Sequence, residues 1–272
     1  MIEQRIKDAL IATVKEIGEY QLSSFGKIEQ RLQKGEFDYA TEVDIKSQEI
    51  GIQRFRQDKI PYVIVGEEKT EDISFPLHLG DSGVLYFDPL EGTHNFCRGR
   101  KEAGFGITIG IVEKDRLTYV IFYSPLTKEL YEGEKGKGSH LYLDGRKLPL
   151  RVSEETKNLD IGFNHWPDRK KVGRYLDRLR EVTDYTPTSS SDAIDLIWVA
   201  RGSLDGLVFI YNQASPHDMV SALLVEEAGG RVTNMKGGPW YRVNSQAFME
   251  VGNSMLAGNP YVQQLLLKLY NP

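Results

Sequence analysis

The stretch from Gly104 to Leu143 reads as consecutive β-strands: GFGITIGIV, LTYVIFYSP, KELYEGEKG and SHLYLDG. β-Branched and aromatic residues fill each run. Gly, Pro and Asp-Gly separate them, as hairpin turns require. Strands joined this closely pair antiparallel, so the stretch predicts a meander.

The flanks predict other elements. Ile2, Ile6, Ala9, Leu10, Val14 and Ile17 recur at helical spacing. Gly26 and Gly35 bracket KIEQRLQKGE, a hairpin or an exposed loop. A second helix starts near Thr41 to Asp44, with Ile45, Ile52 and Phe55 on its inner face. Two strands follow: Tyr62 to Val65 runs into Gly66-Glu67-Glu68, and Val84 to Phe87 runs into Asp88-Pro89-Leu90-Glu91-Gly92-Thr93. After Ser153 strands and helices alternate. Strand Leu159–Phe163, helices near Lys170–Arg180 and Ser191–Ala200, strand Gly206–Ile210, helix His217–Ala228, a strand from Arg231 and a closing helix Gln263–Leu269 are expected. The pattern divides into a helix-plus-antiparallel-sheet half, residues 1–150, and an α/β half, residues 151–272, meeting at a cleft without a linker or repeat.

The totals narrow the function classes. A formal net charge of -5 offers no electrostatic case for a nucleic-acid polymer. Cys97 is the one cysteine, so no intramolecular disulfide or cysteine zinc site can form within the chain. No apolar run reaches membrane-spanning length, and the charged first segment is no secretory signal. These features lead us to expect a cytoplasmic protein with no membrane partner.

Acidic residues then stand out by position. Glu67 and Glu68 end one expected strand, and Asp88 and Glu91 end another. Asp44 and Asp218 each sit at a helix start. Acids at strand ends point into the crevice where α/β sheets bind ligands. Gathered carboxylates repel unless a cation joins them, and oxygen ligands without sulfur favour magnesium or manganese. Pro89 biases Asp88 toward an extended conformation, so Asp88 and Glu91 can share a concave side. Gly92 permits an unusual φ, and Thr93 brings a hydroxyl to a helix start where free N–H groups hold phosphate. Each feature alone also has an ordinary reading: a surface turn, a solvated acidic pair, a capping box at Thr41 and Asp44. The ordered set carries the argument.

That set is DYATEVD ending at Asp44, VGEE ending at Glu68, DPLEGTHNF from Asp88, SSSDAIDLIWVARGSLDG, and SPHDMVSALLVEEAGGRVTN containing Asp218. With it the chain resembles, from Ile2 to about Leu267, the inositol monophosphatase family of magnesium-dependent, often lithium-sensitive phosphatases. The resemblance implies an α/β (α+β) fold, a layered αβαβα sandwich, in a homodimer. It implies two or three Mg2+ ions, or Mn2+, held by Glu67, Asp88, the Leu90 carbonyl, Glu91 and Asp218. Glu67 and Thr93 would orient the attacking water, and Asp44 would accept from Thr93. Glu91, Gly92, Thr93, Ser190, Ser191, Asp192 and Asp218 would meet the substrate, a small phosphorylated metabolite.

Three positions depart from the family's usual residues. Glu91 stands for Asp, His217 for Trp, and Tyr211 for the acid of inositol-specific members. Inositol monophosphate is the expected substrate. Histidinol phosphate, toward which Ser191-Asp192-Ala193 leans, fructose 1,6-bisphosphate and phosphoadenosine phosphate are alternatives. Arg98, Arg100 and Lys101 are candidates for a second phosphate or for a solvated basic loop. A catalytically weak relative that binds a phosphorylated ligand is the competing class.

Overall fold

The computed structural model describes residues 2–27, 31–33, 39–68, 83–166, 169–211, 214–244, 248–252 and 254–271. The chain opens with helix α1 (Gln4–Ser24), the paired strands β1 (Arg31–Gln33) and β2 (Tyr39–Thr41), helix α2 (Glu42–Gln57), and strands β3 (Val63–Gly66) and β4 (Val84–Glu91). The short helix α3 (Thr93–Arg98) precedes β5 (Gly106–Glu113), β6 (Arg116–Ser124), β7 (Glu129–Glu134), β8 (Gly138–Leu143) and β9 (Arg146–Pro149). Then come β10 (Ile161–Trp166), α4 (Arg169–Leu179), α5 (Asp192–Ala200), β11 (Gly206–Tyr211), α6 (Pro216–Met219), α7 (Ala222–Glu227) and β12 (Arg231–Asn234). The paired strands β13 (Tyr241–Val243) and β14 (Met249–Val251), strand β15 (Ser254–Gly258) and helix α8 (Pro260–Tyr270) close the chain.

Strands β3 to β9 form a seven-stranded sheet in sequence order, parallel at β3–β4 and antiparallel from β4 on. The expected meander is its centre. Strands β10, β11, β15 and β12 form a four-stranded sheet in that order, parallel only at β10–β11. Of KIEQRLQKGE, expected as a hairpin or an exposed loop, Arg31–Gln33 form β1, which pairs antiparallel with β2, and residues 28–30 and 34–38 lie outside the described residues.

Alternation along the strands decides the layers. Leu85 and Phe87 of β4 and Ile107, Ile109 and Ile111 of β5 share one face, covered by Leu10, Val14 and Ile17 of α1 and Phe55 of α2. Val84 and Tyr86 take the opposite face and pack with α5, α7 and the inner residues Leu207 and Phe209 of β11. The outer face of the second sheet, with Ile161, Val208 and Leu256, is covered by Leu179 of α4 and by Val262 and Leu266 of α8. The order is therefore α, β, α, β, α.

Two expectations are corrected. Strand β4 does not stop at Phe87 but runs on through Asp88 to Glu91, with a register shift against β5 between those two acids. Pro89 has no N–H to give the ladder, so the strand stays extended while its pairing slips. The single helix expected from His217 to Ala228 is broken into α6 and α7 at Val220–Ser221. There the N–H groups of Leu223 and Leu224 turn back on the carbonyls of Val220 and Ser221, the tight three-residue pattern of a 3₁₀ turn. Met219, Val220, Ser221 and Ala222 are all buried, and the break lets four consecutive side chains find neighbours. Gly110 of β5 makes room: a Cβ there would lie 2.5 Å from Val220. Helix α6 thus packs on β4 and β5.

Lys7 of α1 pairs with Glu132, at 3.4 Å, and with Glu134 of β7. Tyr119 and Tyr142 also donate to Glu132, at 2.9 and 2.6 Å. Burial would raise Glu132, but the two hydroxyls and Lys7 prevail and hold it below its ordinary 4.5. Against burial, Lys137 and Lys7 hold Glu134 down as well. Lys7 is raised above 10.5, its glutamates outweighing burial. The lowered carboxylates contribute stability above pH 4.5 that is lost as pH falls through their folded values. The raised lysine contributes below pH 10.5 and loses its share as pH rises through its folded value. Lys7→Met is expected to cost about 1–2 kcal/mol in urea unfolding near neutrality and little near pH ~3. Equal losses at the two pH values would refute this assignment.

Candidate active site

Helix α2 begins with a complete capping box. Thr41 Oγ1 accepts from the N–H groups of Val43 and Asp44 at 3.1 and 3.4 Å. Asp44 Oδ2 accepts from the Thr41 N–H at 2.8 Å and from the Thr41 hydroxyl at 2.5 Å. Its other oxygen, Oδ1, accepts from the Thr93 hydroxyl at 2.8 Å. Burial raises Asp44 to about 6, against the lowering effect of the two threonine hydroxyls.

The end of β4 is shaped by its own side chains. Asp88 Oδ1 accepts from the Leu90 N–H at 2.9 Å, and the Leu90 carbonyl lies 2.9 Å from Thr93 Oγ1, which can donate to it. Gly92 caps α3 with φ 80° and ψ 35°, a left-handed conformation that costs glycine nothing. The chain then turns into α3 at Thr93, and Asn95 Nδ2 donates to the Ser189 carbonyl at 2.7 Å. At the start of α5, Ser191 Oγ accepts from the Ile194 N–H at 3.3 Å and donates to Glu91 Oε1 at 2.8 Å. Asn95 and Ser191 thus tie the segment after β4 and the end of β4 to the start of α5.

Asp88, Glu91 and Asp218 bring carboxylate oxygens within 4.8 Å of one another. Asp88 and Glu91 are only 3% and 6% exposed. Burial, then the charges of Glu67, Glu91 and Asp218, push Asp88 well above the carboxylate range. Burial, then Asp218 and Asp192, do the same to Glu91. Glu91 Oε2 is buried and has no hydrogen-bond partner among the described residues. A carboxylate oxygen so placed is costly unless something positive meets it. Among the described residues lining the cavity there is no Lys or Arg. His217 Nε2 lies 3.4 Å from Asp218 Oδ1. An oxygen donor set, crowded negative charge and an orphaned buried oxygen fit a hard divalent cation.

A cavity of about 620 Å³ opens over this cluster. Glu67, Asp88, Leu90, Glu91, Gly92, Thr93, Ser190, Ser191, Asp192 and Asp218 all line it. Asp44 lies one contact behind, beneath Thr93. Arg98, Arg100 and Lys101 are exposed and do not line it.

Residues 3–270 match the inositol monophosphatase family. The chain belongs to that family. It is a phosphatase, and its αβαβα layering is the family's. It is similar to the inositol-1-monophosphatase of Rhizobium meliloti, 29% identical over 98% of this chain and 96% of that one. It is also similar to the Nus factor SuhB of Salmonella typhimurium, 31% identical over 86% of this chain and 83% of that one. The crystal structure of the extragenic suppressor protein suhB from Bartonella henselae superposes with a TM-score of 0.80, at 25% identity and 98% coverage of both chains.

Set beside the motifs of the inositol monophosphatase family, the cavity adds residues that no motif singled out: Phe163, Asn164, His165 and Thr188. The first three belong to β10, which runs parallel to β11, with Trp166 opposite Tyr211. Ligands gather at the carboxyl ends of parallel strands, and that rule applied to β10 was the available signal. Asn164 Nδ2 donates to Asp192 Oδ1 at 3.1 Å and Asp195 Oδ2 at 2.8 Å. Tyr211 donates to Asp192 Oδ1 at 2.5 Å. Burial and the Asp218 charge raise Asp192 to about 8 in spite of these bonds.

A carboxylate raised on folding keeps its proton in the folded state while the unfolded chain releases it. Without divalent cation, stability is therefore expected to fall as pH climbs from 3.8 to about 8, where Asp192 ionises. Asp192→Asn removes one of these charges. Its Tm relative to the parent should rise more at pH ~8 than at pH ~4.5, and a difference independent of pH would refute the placement of that charge.

Proposed function

We propose that this phosphatase hydrolyses a small phosphate monoester by direct attack of water, with two or three Mg2+ ions, or Mn2+ in their place, held by Glu67, Asp88, the Leu90 carbonyl, Glu91 and Asp218. One observation carries the reading: the buried Asp88 and Glu91 and the half-buried Asp218 bring carboxylate oxygens within 4.8 Å of one another in the cavity wall. Bound there, such ions supply positive charge that offsets the phosphate oxygens and lowers the pKa of water.

The chain's own residues do the positioning. The Thr93 hydroxyl donates its one hydrogen bond to Asp44 Oδ1 or to the Leu90 carbonyl, so its oxygen is left to accept a hydrogen bond from a water on the cavity side. Glu67 accepts a hydrogen bond from the other O–H of that water and fixes its direction. The N–H groups of Gly92 and Thr93 precede the first intrahelical donor of α3, Asn95, and hold phosphate oxygens. Ser190, Ser191 and Asp192 face the leaving alcohol, with Ser191 also steadying Glu91. Cys97 does not line the cavity, and no covalent phosphoenzyme is formed in this reading.

Inositol monophosphate is the proposed substrate, supported by the name of the Rhizobium relative. A second reading, an amine-bearing ester such as histidinol phosphate, is favoured by the carboxylate of Asp192 in the cavity wall. Lithium sensitivity, a homodimer and a cytoplasmic location complete the proposal by family resemblance.

The test begins with phosphate release from an aryl phosphate with and without magnesium. Release should require the cation and fall about 10²–10³-fold in Asp88→Asn and Thr93→Ala, whereas Thr93→Ser keeps most of it. Undiminished release after chelation would sink the mechanism. A panel of inositol 1-phosphate, histidinol phosphate, fructose 1,6-bisphosphate and phosphoadenosine phosphate then ranks substrates. Inositol phosphate as the poorest would overturn the substrate and leave the mechanism.

A further inference from the structure

Two buried glutamines outside the cavity hold the backbone that carries its acids. Gln48 of α2 and Gln21 of α1 are each 0% exposed. Gln48 Nε2 donates to the Glu68 carbonyl at 2.7 Å, and its Oε1 accepts from the Glu68 N–H at 2.9 Å. One amide thus pairs with both backbone groups of the residue that follows Glu67, as a neighbouring strand would. On the other side the Glu67 N–H donates to the Phe87 carbonyl at 3.0 Å. Glu67 is bracketed between β4 and a helix side chain.

Gly66 makes this bracket possible. A Cβ at that position would lie 2.2 Å from Gln48 Oε1. Its φ is not among the positive ones, so the need is for space rather than for a special backbone conformation.

Gln21 does the matching work on β4. Its Nε2 donates to the Pro89 carbonyl at 2.6 Å. Pro89 lies inside the register shift between Asp88 and Glu91, where the β4–β5 ladder gives that carbonyl no regular partner. The same Nε2 lies 3.4 Å from Ser47 Oγ of α2, beside Gln48 in the sequence. The two glutamines are therefore linked through the packed helices.

We infer that Gln48 and Gln21 are positioning residues, which set the spacing between the Glu67 loop and the Asp88–Glu91 segment and so the affinity of the acidic cluster for divalent cations. The inference rests on the divalent-cation reading given above. A hydrogen-bonded amide fixes both the position and the rotation of the backbone it holds. A methionine of similar length fills the space and removes those bonds.

The experiment compares Gln48→Met, Gln21→Met and Gly66→Ala with Gln263→Met. Gln263 is an equally buried amide, 1% exposed, which donates to Thr233 Oγ1 at 2.7 Å away from the cavity. Mn2+ binding is read by electron paramagnetic resonance titration without turnover, with Tm in chelator as the measure of stability. Gln48→Met and Gln21→Met should bind Mn2+ about tenfold more weakly or worse. Gly66→Ala should do the same with Gln48 intact, because its Cβ displaces the amide, and it carries the test if Gln48→Met does not fold. Gln263→Met should lose Tm and bind as the parent does. Binding within about twofold of the parent in Gln48→Met and Gly66→Ala overturns the inference, as does an equal loss in Gln263→Met. A parent protein that binds no Mn2+ overturns the cation reading itself.

Discussion

Asp88, Glu91 and Asp218 repel one another where they line the cavity, and the scaffold must hold them there. Their oxygens lie within 4.8 Å. They come from two local constraints: Asp88 and Glu91 from the slipped end of β4, Asp218 from the short helix α6. Neither element would hold its acid in place alone. The large sheet, the middle helices and the second sheet supply the rigidity, through a core that is continuous from Val84 to Phe209. The raised carboxyls of Asp88 and Glu91 are the mark of that confinement.

Much of the site is assembled from groups that also end or start helices. Asp44 closes a capping box with one oxygen and takes the Thr93 hydroxyl with the other. Ser191 caps α5 and donates to Glu91 at the end of β4. Gly92 is at once the left-handed cap of α3 and the link between Glu91 and Thr93. A capping side chain has two polar faces, and burial makes both of them satisfy a partner. A capping reading and a functional reading of such residues therefore do not compete.

The elements with strong periodicity were legible without coordinates. The Ile2-to-Ile17 helix, the Thr41 cap, and the β5-to-β8 meander all carry local patterns that propensity and turn chemistry explain. The acids were legible as an ordered set, and the cavity gathers Glu67, Asp88, Glu91 and Asp218 of that set, with Asp44 behind Thr93. What local pattern could not show was the break at Val220–Ser221. The segment from His217 to Ala228 is helical by composition, and the break falls where Val220 packs against Gly110. Phe163, Asn164 and His165 were marked only by the general rule for the carboxyl ends of parallel strands, and nothing local marked Thr188, which lies outside any strand. Gln21 and Gln48 read as ordinary polar positions on amphipathic helices until their backbone partners are seen.

By itself the sequence determined the first two helices and the β5-to-β8 meander, that oxygen ligands dominate its acidic positions, and which family these motifs resemble. These are matters of neighbours along the chain. The tertiary structure alone decided that β4 stays extended through Asp88 to Glu91, that α6 ends where it does, and that Glu91 meets Ser191. Those outcomes depend on contacts between residues far apart in sequence, in which a missing Cβ at Gly110 or a missing N–H at Pro89 decides how closely two elements approach. The distances that make separate acids into one site exist only once the layers have packed.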